Sequence, residues 1–452
     1  MGKRSILGLM LIVVAGAATG FLWRTPAGAG SPFTTPIQHV VVIFQENHSF
    51  DNVLGRLCVE DHRCNGATTG VLPDGTRIPL PLATDLVPDV GHAGGAQTTA
   101  INGGAMNGFA HIRGCSATYH YQCYDQYDPS QIPNIAALAR AFVIADNTFE
   151  TSRIGSWGSH LALVASNPDG FIAEPQKGES TKHGKGGGCD SYKDAMWQPP
   201  VGNPFLVPSC VPAVDGTGPY RSSPVPYEPT ILDRIDTAGL TWKLYAADGP
   251  NQQGGGTGYV WAICPTFAEC IYGPQKNNFV PSMNVIQDAK NGVLPNLTLV
   301  VPNPPHSQHN TRSMTEGDDW IGSIVSAIEN GPQWDSTAIF ITWDDCGCFY
   351  DHVAPPSYAG IREPMIIVSP YAKAGYTDSS LTTFNGILAY TENAFGLQPL
   401  SSADQFAYDY SNSFDYTQTP LPGISMVNRK VPAWEVRWMK EHPELLDPDD
   451  IT

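Results

Sequence analysis

Several polar clusters in this chain hold side chains of the types that can bind a metal and handle phosphate, and most of them close an apolar run. HVVVIFQENHSFDNVLG, residues 39–55, passes from β-branched residues into Gln45, Glu46, Asn47 and His48. Further on, FVIADNTFETSRIGSWGSHL reaches Asp146 and then Ser156, LTLVVPNPPHSQHN ends on His306 and His309, and AIFITWDDCGCFYDHVAPP carries Asp344 and Asp345. Carboxylate and amide oxygens are hard ligands, suited to a divalent ion whose identity they do not select. Such an ion polarises phosphoryl oxygens and lowers the pKa of a bound hydroxyl. Ser156 beside it would attack phosphorus as an alkoxide and form a phosphoserine that water later hydrolyses. Histidines nearby would stabilise the equatorial oxygens and protonate the leaving group. His92, in DVGHAGGAQ, is flanked by glycines that permit close approach of a ligand. Ser159 is the rival hydroxyl, and His48 and His160 lie next to the site in sequence.

For these residues to meet, the apolar runs must be neighbouring strands pointing one way. His39–Phe44, Phe142–Ala145, Thr241–Ala246, Leu297–Val301, Ala338–Trp343 and Met365–Ser369 read as strands buried on both faces. Helical periodicity separates them in IPNIAALARA, in ILDRIDTAG, over Glu316–Glu329 and over Phe384–Phe395. That alternation predicts an α/β fold: an α/β/α sandwich on a mostly parallel central sheet, with ligands gathered beyond the strands' carboxyl ends. Ser156 falls at a helix start, where backbone N–H groups and the helix dipole favour a phosphate and where serine is also a common cap. Residues 56–130 show no sustained period and read as loops walling the site. Residues 168–228 read as an insertion. Its GKGGG run at 184–188 lacks the spacing of a phosphate-binding P-loop, and no strand precedes it.

The formal charge of −18 excludes a nucleic-acid binder and disfavours anionic membranes at long range. The opening MGKRSILGLMLIVVAGAATGFLWRTPAGA reads as a signal peptide over residues 1–29, with a less favoured reading as an uncleaved anchor. The remainder divides into one catalytic domain, 30–425, and a tail, 426–452. All ten cysteines lie beyond residue 29, an even count that predicts disulfides in an exported chain, with Cys58–Cys64 and Cys264–Cys270 as local loops. Cys346 and Cys348 are too close in sequence to pair easily with each other. Nothing demands a stable protein partner.

ENHSFDNVLG, DNTFETSRIGSWGSHL, ILDRIDTAGLTWKLY, the SQH of PHSQHN, WDDCGCFYDHVAPP and REPMIIVSPYAKAGY, taken in order, resemble the motifs of the bacterial phosphoesterase family of phospholipases C and secreted acid phosphatases. The resemblance spans roughly residues 37 to 400. It implies an alkaline-phosphatase-like fold and a metal-dependent hydroxyl nucleophile. Carried over, Glu46 and Asn47 match the first metal-ligand pair, Asp344 and Asp345 the second, and Ser156 the nucleophile, itself a ligand. His92 and His309 match histidines of the phosphate pocket, and His352 a recurring catalytic position. Two departures are SWGSH around the nucleophile and the Cys346-Gly347-Cys348 insert. The paired aspartates and the lack of a long carboxyl-terminal extension tilt the expectation toward phosphate monoesters over phospholipid diesters. The third reading is an exported binding protein that kept the fold.

Overall fold

The computed structural model describes Gly2 and residues 35–177, 187–246 and 261–442. The expected signal peptide, residues 184–186 of GKGGG and the tail from residue 443 lie outside the described residues. The frame is an eight-stranded sheet of β1 (His39–Gln45), β2 (Val143–Ala145), β3 (Trp242–Ala246), β4 (Phe279–Val280), β5 (Leu297–Val301), β6 (Thr337–Trp343), β7 (Met365–Val368) and β8 (Thr377–Asp378), laid side by side as β4-β3-β5-β1-β6-β7-β2-β8. Central β1 matches its composition: Val40 to Phe44 are at most 1% exposed, as an apolar run covered on both faces must be.

Parallel pairing with β5 and β6 sets Val40 level with Leu297 and Ala338, and Gln45 level with Trp343. Strand β7 alone runs antiparallel to its neighbours β6 and β2. The reason is its connection: residues 344–364 contain no helix to cross over the sheet, so the chain returns directly. The two reversals cancel, so β2 points the same way as β1, β5 and β6. The mostly parallel sandwich therefore stands, and the four strands that lead to the chemistry end at one edge.

Helices cover both faces. On one lie α2 (Pro133–Ala141), α5 (Asn284–Asn291) and α6 (Met314–Glu329); on the other α3 (Ser156–Ala165), α4 (Ile231–Thr237) and α7 (Asn385–Phe395). Helix α6 starts two residues earlier than its periodicity indicates, because the Ser313 hydroxyl caps it by accepting from Glu316 N at 3.1 Å. The stretch 56–130 is not all loop. It holds α1 (Gly94–Ile101), whose glycines and threonines give no helical signal.

Four disulfides form, Cys58–Cys64, Cys115–Cys123, Cys189–Cys210 and Cys264–Cys270, so both expected local loops are present. Cys346 and Cys348 remain buried thiols with sulfurs 3.5 Å apart. The loops after β1 and β6 are tied by Arg362, which is fully buried. Its Nη2 reaches Asp351 Oδ2 at 3.0 Å and Asp51 Oδ1 at 3.2 Å, and its guanidinium lies 4.1 Å over the Phe50 ring. Removing one partner of a buried ion cluster strands the others. Arg362→Ala is therefore expected to cost about 3–5 kcal/mol in urea unfolding, and a loss below about 1 kcal/mol would contradict that placement.

Candidate active site

Where β1 and β6 end, Asn47 N donates to Asp344 Oδ1 at 2.9 Å and Asp344 N donates to Gln45 O at 2.9 Å, so the two acidic pairs lie side by side. Asn47 takes φ 61, a left-handed bend that asparagine tolerates. The facing turn needs glycine: Gly347 has φ 53, and a Cβ there would sit 2.2 Å from Asn47 O. Its N–H donates to Asp345 Oδ1 at 2.7 Å and fixes that carboxylate.

Ser156 is the first residue of α3, preceded by Gly155 at φ 110. Its Oγ lies 3.3 Å from Glu46 Oε2, 3.3 Å from the Asn47 side-chain amide and 3.2 Å from Asp345 Oδ2. Ser159 is turned away, buried and donating to Glu150 Oε1 at 2.9 Å. The first turn of α3 differs from expectation. Trp157 N donates to Glu174 Oε1 at 2.9 Å, so a carboxylate from the insertion, not an open phosphate site, meets that amide. Burial first, then Asp345, pushes Glu174 up to about 8.

His160 belongs to the cluster. Its Nε2 is 3.3 Å from Glu46 Oε1 and 3.8 Å from Asp344 Oδ2, and burial holds its pKa down at about 3, so the ring is neutral. The signal was in the sequence: residues 156 and 160 are i and i+4 on one helix, hence on one face. Glu174 offered no such signal, because it sits across an insertion without periodicity.

Three carboxylates crowd this space. Burial and then Asp344 raise Glu46 well above the usual carboxylate range, burial and Asp345 raise Asp344 to about 7, and burial raises Asp345. Asp344 Oδ2 is buried without a hydrogen-bond partner.

The Asn47 amide joins this acidic side to the histidines. One amide atom lies 2.9 Å from Nε2 of both His92 and His309; the other faces Asp344 Oδ1 at 3.0 Å and Glu46 Oε2 at 3.3 Å. Turning the amide would place nitrogen toward the carboxylates and satisfy both sides without any cation. That setting leaves Asp344 Oδ2 still without a partner, since the turned nitrogen reaches only Oδ1. A cation would fill that gap with the amide unturned, its nitrogen toward His92. The amide oxygen then faces carboxylate oxygens, a donor set that fits a hard divalent cation.

The remaining histidines lie elsewhere. His306 stacks on Trp320 with ring centroids 6.2 Å apart, in a groove with Glu316 and Arg429. His48 bonds Asn52 Oδ1 at 2.6 Å and the Gln308 carbonyl at 3.0 Å, tying the two loops. His352 bonds Asp51 Oδ2 at 2.5 Å and Asn65 Oδ1 at 3.0 Å, within the Arg362 network and not among the hydrogen-bond partners of Ser156. Trp157, next to Ser156, is 2% exposed and packs on Phe171.

This chain matches the Phosphoesterase family over residues 37–398 and belongs to it. It is a hydrolase acting on phosphoric ester bonds. Its relatives include the non-hemolytic phospholipase C of Burkholderia pseudomallei, 23% identical over 82% of this chain and 57% of that one. They also include non-specific phospholipase C6 of Arabidopsis thaliana, 21% identical over 94% and 81% of the two chains, and phospholipase C A of Mycobacterium tuberculosis, 23% identical over 90% and 84%. The chain thus spans a little over half the length of the first. A solved protein of the alkaline phosphatase superfamily from Vibrio parahaemolyticus is 12% identical with TM-score 0.36, covering 82% of this chain and 70% of that one. At that score the sheet topology, not the likeness, defines the fold.

Proposed function

We propose that this protein is a phospholipase C that cleaves the phosphodiester of a phospholipid with Ser156 as nucleophile. The carrying observation is the convergence of Glu46, Asn47 and Asp345 on Ser156 Oγ at 3.2–3.3 Å, with His92 and His309 on the far side of the Asn47 amide. The reading replaces the expected preference for monoesters: the three relatives named above are phospholipases C, and an aspartate pair serves either ester. Four disulfides support export to an oxidising compartment.

A divalent cation held by Glu46, Asn47, Asp344 and Asp345, within reach of Ser156 and His160, would supply the positive charge that lowers the serine pKa and neutralises phosphoryl oxygens. Asp345 Oδ2, 3.2 Å from Ser156 Oγ, is placed to receive the hydroxyl proton. The serine oxygen forms the new bond to phosphorus, and the bond to the diacylglycerol oxygen breaks. That oxygen leaves with the electron pair and takes a proton from solvent, matching the one Asp345 received from the serine. Water then hydrolyses the phosphorylated serine and frees the headgroup phosphate. His352 keeps a positioning place through Asp51.

The test sets p-nitrophenyl phosphorylcholine beside p-nitrophenyl phosphate, with and without chelator. Diester kcat/KM at least about tenfold above monoester, lost on chelation, is the expected result. A monoester preference would return the chain to the phosphatase reading, and no turnover with any divalent ion would favour the binding protein.

A further inference from the structure

The insertion carries a three-stranded antiparallel sheet of Gln176–Lys177, Lys193–Trp197 and Phe205–Pro208. Phe171 bridges Trp197, which pairs with Phe205; Phe171 and Trp197 turn inward, while Phe205, on the edge strand, is 45% exposed. Phe171 and Trp197 are buried, and Phe171 meets Trp157 at 4.8 Å between ring centroids. The alternation of a strand then sends the adjacent row outward. There Ile172 N bonds Met196 O at 2.9 Å, and Met196 pairs with Leu206. An antiparallel sheet normally shows polar side chains on such a face. Here Ile172 is 47% and Leu206 48% exposed, and Val201, in the turn joining the last two strands, is 90% exposed.

Two further features say what covers this face. From Ala195 to Pro208 there is no charged residue, in a chain with 43 acidic and 25 basic side chains. The turn is also poor in backbone groups that would need water: Pro199, Pro200 and Pro204 have no N–H, and Gln198 Nε2 donates to Pro199 O at 2.9 Å and Gly202 O at 3.0 Å. An apolar, projecting turn with few unsatisfied amides tolerates entry into lipid, where each unpaired polar group is costly. The excess of acidic groups sets the lipid type, since an anionic surface would repel it. The face also adjoins the site. Only Ala173 separates Ile172 from Glu174, which holds the amide of Trp157 directly after Ser156.

We infer that the row Ile172, Met196 and Leu206, with Val201 at its tip, docks on the surface of a zwitterionic phospholipid bilayer and so presents Ser156 to a phospholipid. This rests on the phospholipase reading, and its test separates the two. Co-sedimentation with phosphatidylcholine vesicles in chelator measures docking without turnover. The triple variant Ile172→Ser, Val201→Ser, Leu206→Ser is expected to bind vesicles at least about tenfold more weakly than the parent. Its turnover of soluble p-nitrophenyl phosphorylcholine should stay within about twofold of the parent while vesicle hydrolysis falls about tenfold or more. Vesicle binding equal in parent and variant would overturn the docking surface. So would a parent that does not sediment with vesicles, or one that forms a dimer the variant lacks. A parent that sediments with vesicles and loses this on substitution, yet hydrolyses neither substrate, would keep the docking surface and remove the phospholipase reading.

Discussion

Ser156→Ala will lower kcat toward a phosphodiester by about 10³-fold or more while leaving the fold and the cation site in place. Its hydroxyl contacts Glu46, Asn47 and Asp345 at once, and no other described hydroxyl does so. Alanine is a good helix former and the cap position is Gly155, so α3 should start unchanged. The remaining carboxylates would still hold a cation able to bind and polarise substrate, and a water molecule would have to replace the serine. Ser159→Ala is the matched control, since it removes a hydroxyl bonded to Glu150 in the same helix and should leave turnover within a few-fold. Acid quenching of the parent during turnover should trap the phosphoryl headgroup on the peptide that contains Ser156. Activity in Ser156→Ala above about a tenth of the parent, with no adduct in the parent, would transfer the attack to water.

The strands that lead to the site were legible because burial on both faces leaves a mark that no loop imitates. β1, β5 and β6 are such runs, and each ends within a residue of its expected limit. Direction leaves no mark of that kind. MIIV of β7 reads the same whichever way it runs, and only the helix-free return from β6 sets it antiparallel. Glu46, Asn47, Asp344 and Asp345 stood out as polar ends on apolar strands. His160 needed one more step, the helical spacing from Ser156. Glu174 and the Asp51–Arg362–Asp351 network depend on contacts between distant segments with no periodicity, so composition and spacing were silent on them. His352 is the converse case: its motif is strong, while the bonds of its imidazole to Asp51 and Asn65 left no mark in spacing.

A divalent cation will stabilise the protein more at pH 8 than at pH 5. Burial and the neighbouring aspartate raise Asp344 from 3.8 to about 7, and burial with Asp344 raises Glu46. A carboxylate with a raised pKa in the folded state binds its proton more tightly there than in the unfolded chain. Its contribution is therefore complete below about pH 4 and lost as pH climbs through about 7. In chelator, Asp344 alone should remove about 2–4 kcal/mol of stability across that window. A cation among the same oxygens reverses the sign, because it favours the ionised carboxylates, so the shift in Tm on adding it must grow with pH. Glu46→Gln separates this account from a simple structural role for Glu46. The neutral amide relieves the repulsion, so the chelated variant should melt above the chelated parent at pH 8. It should nonetheless gain little from added cation, having lost one of the charges that bind it. Melting curves for parent and variant at pH 5 and pH 8, with chelator and then with excess magnesium, calcium or manganese, decide the matter. A chelated Glu46→Gln that melts below the chelated parent at pH 8, yet keeps the parent's full response to cation, would place the ion somewhere other than between Glu46 and the Asp344–Asp345 pair.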